Sequence, residues 1–310
     1  MQETSQTTLE KSKRVDFYQV VTRKIIKHLE RGEIPWRRTL KHPYIGFAKN
    51  YYSGHQYQGI NWLLLNLMTS HEVPFYMTWN QIKKLGGNVL RGTKSNEVFY
   101  FNSYYRNQAG DLISVVQAQQ MEARHEEVQR ISYLKKHHVF NISCINGLSW
   151  EEPEEKHRND VITHCDLILD AMKEEPIIKN QEELNAYYNP VLDHIVLPQF
   201  KVFNDPETYY LLLFHNLIHW TGNIKRLARF GIMDSTLGDQ LIYTEESLIG
   251  ELGACMLTAI VGIEQLTQLE EESDHVSTWI QAMEEDKRFI FRAASRAQQA
   301  VDFILGGQRG

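Results

Sequence analysis

The residue types with the most chemical potential lie in one short run, His215-Asn216-Leu217-Ile218-His219. Four residues advance an α-helix by about 400°, so both imidazoles leave one face about a turn apart and can chelate a single ion. The run differs at one position from the HExxH pattern of zinc peptidases. There the Glu takes a proton from metal-bound water and returns it to the leaving amine, a contribution of about 10²- to 10⁴-fold. Asn216 is a neutral amide that cannot cycle a proton, whereas the two histidines keep their ligand nitrogens. A catalytic zinc also needs a third protein donor, commonly a carboxylate from a second helix, and Glu245, Glu246 and Glu251 are the candidates. Glu246 and Glu251 lie about 140° apart around a helix axis, so they do not easily address one ion together.

The helix that must carry the histidines is well delimited, with Asp205 as N-cap, Pro206 at the first helical position and Gly222 after its end. Apolar residues at Phe17, Val20, Val21, Ile25, Ile26 and Leu29 mark another helix over 16–31, stopped by Gly32. Further on, the pattern predicts a helix over 59–70, a strand over 75–78, a helix over 79–85 and a strand over 97–102. Strands are expected at 137–142 and 194–197, and helices at 161–173, 206–221, 245–261 and 276–305. The chain therefore reads as α+β: a mixed α+β domain over 14–150, then a mostly helical domain over 160–306. The acidic, proline-broken stretch from Glu151 to Asp160 serves as linker.

Composition narrows the function classes. The 310 residues, 42% hydrophobic and 23% charged, describe a soluble globular chain. No apolar run approaches the roughly 20 residues of a membrane span, and the polar N-terminus has no signal-peptide core, so a cytoplasmic protein without a membrane partner is expected. Cys144, Cys165 and Cys255 are widely separated, which argues against a disulfide framework or a thiolate metal site. The net charge of -6 is unevenly distributed. Residues 1–110 hold 16 of the 33 basic and 7 of the 39 acidic residues, leaving 17 and 32 for the rest. A front part of +9 beside a rear part of -15 points to a polyanionic partner for the former.

Together these stretches resemble the ArdC-type antirestriction proteins of mobile elements. The resemblance is carried at the front by Gly32-Glu33-Ile34-Pro35-Trp36-Arg37, Tyr57-Gln58-Gly59-Ile60-Asn61, Thr78-Trp79, Leu85-Gly86-Gly87 and Arg91-Gly92. At the rear it is carried by Tyr187-Tyr188, Asp193-His194-Ile195, His215 to His219 with Trp220-Thr221-Gly222, Arg226-Leu227 and Glu251-Leu252-Gly253-Ala254. It implies a single-stranded-DNA-binding domain joined to a zincin-like metallopeptidase domain, protection of transferred DNA against restriction, and a metal held by two His and a Glu. The metal would be zinc or another divalent ion. Two departures stand out. Asn216 replaces the Glu of HExxH, and the family's Glu-Glu-Leu-x-Ala-Glu run is here Glu246-Ser247-Leu248-Ile249-Gly250-Glu251. By helical phase the second Glu of that run is the expected ligand, so Ser247 stands in its place; alternatively Glu246 or Glu251 coordinates. A weak or inactive peptidase follows under either assignment.

For the DNA-binding domain, Trp36, Tyr57, Trp62 and Trp79 are candidate stacking surfaces, each stacked base contributing about 1–3 kcal/mol. Arg37, Arg38, Lys41, Lys49, Lys83, Lys84, Arg91 and Lys94 are candidates for neutralising phosphates, and Asn61 lies within a motif that carries the resemblance. Single-stranded DNA, and duplex DNA as well, are the expected ligands. The competing readings are an active zinc peptidase using a non-standard base and a module that binds a host protein through its acidic rear half.

Overall fold

Asp16 begins the first helix because its carboxylate accepts the Gln19 amide N–H at 3.3 Å, and Gly32, at φ +75°, turns the chain away after it. The computed structural model describes residues 15–37, 46–151, 159–233, 240–263 and 273–306. In the front half, helices α1 (Phe17–Leu29), α2 (Ile60–Trp62), α3 (Trp79–Lys84) and α4 (Val115–Ala123) alternate with strands. The strands are β1 (Lys49–Asn50), β2 (Phe75–Thr78), β3 (Asn88–Val89), β4 (Asn96–Asn107), β5 (Leu112–Ile113), β6 (Val128–Asn141) and β7 (Ile145–Asn146). Five of them form a sheet in the order β1-β2-β6-β4-β5, while β3 and β7 pair separately. Its long axis is the antiparallel β4–β6 pair, in register from Asn96↔Val139 to Asn107↔Val128.

The rear half has α5 (Asn159–Asp170), a small sheet of β8 (Ile177–Gln181), β9 (Tyr187–Asn189) and β10 (His194–Pro198) in the order β8-β10-β9, and then only helices. These are α6 (Pro206–Thr221), α7 (Phe230–Met233), α8 (Gln240–Val261), α9 (Ser273–Glu285) and α10 (Phe289–Ile304). A mixed α+β front followed by a mostly helical rear is thus the observed architecture. Helices α6, α8 and α10 pack on one another, and their core runs on without a break into the front half. Trp36 meets Trp279 at 5.7 Å between ring centroids, and Tyr18 meets Phe291 at 4.8 Å. The stretch 152–158, expected as a linker, lies outside the described residues. No described helix is long and apolar enough to cross a membrane. Cys165 and Cys255 are buried free thiols, and Cys144 is half-buried and free.

Three expectations are corrected. The single helix over 276–305 is two, α9 and α10, because the Asp286 carboxylate accepts the Arg288 amide N–H at 2.8 Å and also pairs with Arg292, closing a turn between them. The helix over 59–70 shrinks to α2 plus one π turn, Leu63–Leu67. Thr69 Oγ1 and Tyr76 Oη both donate to the Leu65 carbonyl, at 2.8 and 3.1 Å, which holds the wide turn open. The strands over 97–102 and 137–142 are the inner parts of β4 and β6, whose outer residues are too polar to show the apolar alternation of a half-buried strand.

Candidate functional site

Helix α6 is anchored by its Asp205 cap, which accepts the Glu207 amide N–H at 3.2 Å, and His215 and His219 leave its inner side together. Their Nε2 atoms are 3.1 Å apart and their rings meet edge-on at 4.7 Å. That separation is close to the about 3.4 Å expected of two nitrogens on one tetrahedral ion at about 2.1 Å. His215 Nδ1 is buried without a hydrogen-bond partner. Burial, followed by the neighbouring His219, Arg37 and His275, holds the His215 imidazole well below the usual histidine range, so it stays neutral.

The carboxylates expected nearby are committed elsewhere. Glu246 Oε1 accepts from His219 Nδ1 at 3.0 Å, and Arg229 donates to both of its oxygens, from Nη2 at 2.8 Å and from Nε at 3.0 Å. Burial raises the Glu246 carboxyl, but these donors outweigh it and hold the group below its ordinary value. Glu246 therefore orients the ring of His219 from behind and does not stand beside its Nε2 as a ligand. Glu251 accepts from Arg37 Nε at 2.5 Å, and its other oxygen is buried without a hydrogen bond. Glu245 turns to Arg296 at 2.6 Å and Arg292 at 3.2 Å. Ser247 lines the same cavity from α8, and Gly250 lies directly against the imidazoles. A Cβ on Gly250 would lie 2.6 Å from His219 Nε2, so the bare backbone there lets the helix press against the imidazoles.

Among the described residues no three His, Cys, Asp or Glu side chains converge in a way that could hold a metal ion. Among those residues the donor set supplies two nitrogens, short of the three protein ligands of a catalytic zinc centre. Asn216 is 3% exposed and lines the same cavity, and its amide donates back to the Leu212 carbonyl at 2.9 Å. The cavity holds about 320 Å³ and is walled by Tyr187 and Tyr188 of β9, Tyr243 of α8 and His275 of α9. Tyr188 is fixed by donating to Asp193 at 2.8 Å and accepting from Asn223 at 2.8 Å. Asp193 is in turn clamped by Arg226, which holds its carboxyl down to about 2 while its guanidinium stacks 3.9 Å over Trp220. Arg229 and His275 join the site from outside any sequence motif. Neither carries a spacing signal, since Arg229 folds back from the turn after α6 onto the Ile218 carbonyl and Thr221 Oγ1, and His275 arrives only when α9 packs against the site.

The candidate DNA residues divide. Trp36 is wholly buried against Trp279, Trp62 is equally buried, and Tyr57 is buried beneath Asn50, whose Nδ2 donates to its hydroxyl at 3.3 Å. None of the three offers a face for stacking. Asn61 is buried as well, clasping Phe99 by donating to its carbonyl at 2.8 Å and accepting its N–H at 2.7 Å. Arg37 points inward to Glu251. These residues were assigned to a surface because tryptophan, tyrosine and arginine look alike in sequence whether they face solvent or a neighbouring helix. Trp79, by contrast, is 49% exposed at the start of α3, with the Lys83 ammonium 5.2 Å over its ring. Lys84, Arg91 and Lys94 are exposed, Lys49 is half-buried, and Arg38 and Lys41 lie outside the described residues. Tyr100 on β4 and Tyr133 on β6 are exposed too, and alternate aromatic positions on a strand are the signal that finds such a face.

Comparison with known proteins matches residues 15–140 to the N-terminal domain of anti-restriction factor ArdC, and residues 165–296 to a zincin-like metallopeptidase domain. Two solved structures of the antirestriction protein ArdC from plasmid R388, one metal-free and one Mn(II)-bound, superpose with a TM-score of 0.72 at 31% identity. The match covers 94% of this chain and 97% or 98% of theirs. A DNA primase TraC of Escherichia coli is 29% identical over 93% of this chain, which spans only 27% of that relative's length. An uncharacterized protein of Sinorhizobium fredii, y4eC, is 27% identical, with 94% of this chain and 92% of that protein covered.

Proposed function

This chain belongs to the ArdC family of antirestriction proteins, and from that premise we propose that it is a single-stranded-DNA-binding antirestriction protein whose zincin-like domain no longer hydrolyses peptides. The observation that carries the loss of hydrolysis is the double replacement in the cavity, Asn216 at the position of the base and Ser247 where the third ligand is expected. A divalent ion in a zincin polarises a carbonyl and lowers the pKa of its bound water. Among the described residues the protein donors aligned for one are the Nε2 atoms of His215 and His219, which would chelate it at two points. Glu246, itself held by Arg229, fixes the orientation of His219. The buried amide of Asn216 neither takes nor gives up a proton, and Ser247 contributes a neutral hydroxyl.

DNA binding rests on the family and on the charge of the front half, with its exposed Trp79, Lys83, Lys84, Arg91 and Lys94. Because phosphate contacts release counterions, affinity for an oligothymidylate falls steeply as salt rises. Titration of the full chain against a labelled oligothymidylate at several salt concentrations tests this; absence of binding in dilute buffer overturns it. Peptide turnover abolished by a chelator and by His215→Ala overturns the non-hydrolytic half of the reading.

A further inference from the structure

We propose that one face of the β4–β6 ribbon is a stacking platform for the bases of a single strand, an assignment that rests on the DNA-binding reading and gives it a location. Strand register fixes which residues share that face: the pairs Val98↔His137, Tyr100↔Lys135, Asn102↔Tyr133, Tyr104↔Ile131 and Arg106↔Gln129 all project to one side. At the inner end Val98 and Val139 are buried with Tyr57 and close the core. Beyond them the face opens, with Tyr100 37% and Tyr133 40% exposed and Lys135 and Asn102 exposed beside them.

The three tyrosines step diagonally across the two strands. Diagonal neighbours in an antiparallel pair stand about 7–8 Å apart, a spacing at which successive rings can each take a separate base from an extended strand. The Tyr104 and Tyr133 rings lie 5.9 Å apart, with the Arg106 guanidinium 5.8 Å over Tyr104. His137 is edge-on to Tyr100 at 5.6 Å, and His55 approaches the same ring at 6.4 Å. No Asp or Glu belongs to this face from residue 98 to 106 or from 129 to 137. The acidic residue of the inner ribbon, Glu97, is on the opposite side, paired with Lys136 at 2.6 Å. That opposite side is also where α1 packs, through Phe17 on Phe99 at 5.7 Å. Rings set beside Lys135, Arg106, Asn102 and Gln129, with no carboxylate among the strand residues of this face, suit a polyanion with π-faced bases; a protein partner would more often be met by an apolar patch with charges of both signs around it.

The test is fluorescence anisotropy of a labelled oligothymidylate with the full chain and its variants. Tyr100→Ala and Tyr133→Ala are expected to weaken binding by about fivefold to a hundredfold each, the loss of one stacked base. Tyr133→Phe keeps the ring and is expected to bind within about twofold of wild type. Lys135→Ala should lower the slope of log affinity against log salt by about one, whereas the Tyr→Ala variants leave that slope unchanged. Wild-type binding that survives both Tyr→Ala changes overturns the platform and leaves the DNA-binding reading standing. Equal losses in Tyr133→Ala and Tyr133→Phe also overturn the platform. A wild-type protein that ignores the oligonucleotide overturns the underlying reading instead.

Discussion

Removing Arg37 distinguishes a structural arginine from a phosphate-binding one. Its Nε donates to Glu251 at 2.5 Å across the junction of the two halves, with the Arg side chain 14% and the Glu side chain 1% exposed. Arg37→Ala leaves a carboxylate in the core whose second oxygen already lacks a hydrogen bond. Breaking one side of a buried pair costs about 3–5 kcal/mol, because the remaining charge stays desolvated. At about 2 °C per kcal/mol for a chain of this size, the melting temperature should fall on the order of 6–10 °C. The double variant Arg37→Met, Glu251→Met replaces both partners with apolar groups and should recover much of the loss, so the two single changes will not add. Calorimetry on the four proteins measures the cycle, and a salt titration on a folded Arg37→Ala sample should give the wild-type slope. Additive losses, or a salt slope lowered by about one with little change in melting, would refute the reasoning and return Arg37 to the DNA surface.

Three further outcomes are expected. Asn216→Glu alone should show no peptide cleavage above background in a fluorogenic casein assay. Only together with Ser247→Glu should chelator-sensitive turnover emerge, because the base's roughly 10²- to 10⁴-fold contribution needs a held metal-bound water to act on. Glu246→Gln removes the charged partner of both His219 and Arg229; it should lower divalent-ion affinity about 10- to 100-fold by isothermal titration and reduce the melting temperature measurably. Asp193, lowered by Arg226 from 3.8 to about 2, takes up its proton later than it does in the unfolded chain. Its contribution to stability is therefore full above about pH 4 and fades as the pH falls through about 2. In acid denaturation followed by circular dichroism, Asp193→Asn should be less stable than wild type at neutral pH and converge with it near pH 2.

Much of this protein is written in local pattern. The cap at Asp205, the proline after it and the four-residue spacing define α6 and place His215 and His219 on one side, because a helix repeats every 3.6 residues whatever surrounds it. The amide at Asn216 and the hydroxyl at Ser247 are equally local facts. The uneven charge of the two halves, the α+β class and the family resemblance also need no coordinates.

Tertiary structure decided which of several equivalent carboxylates meets which cation. Glu246 and Glu251 look interchangeable along α8, but packing turned the first to His219 and Arg229 and the second to an arginine 214 residues away in sequence. It also decided the direction of the aromatic rings among the described residues. Trp36, Tyr57 and Trp62 are interior, while Tyr100 and Tyr133 are at the surface, because strand register and the docking of α1, α9 and α10 determine which face water reaches. Burial and long-range pairing are sums over distant neighbours, and no window of sequence contains them.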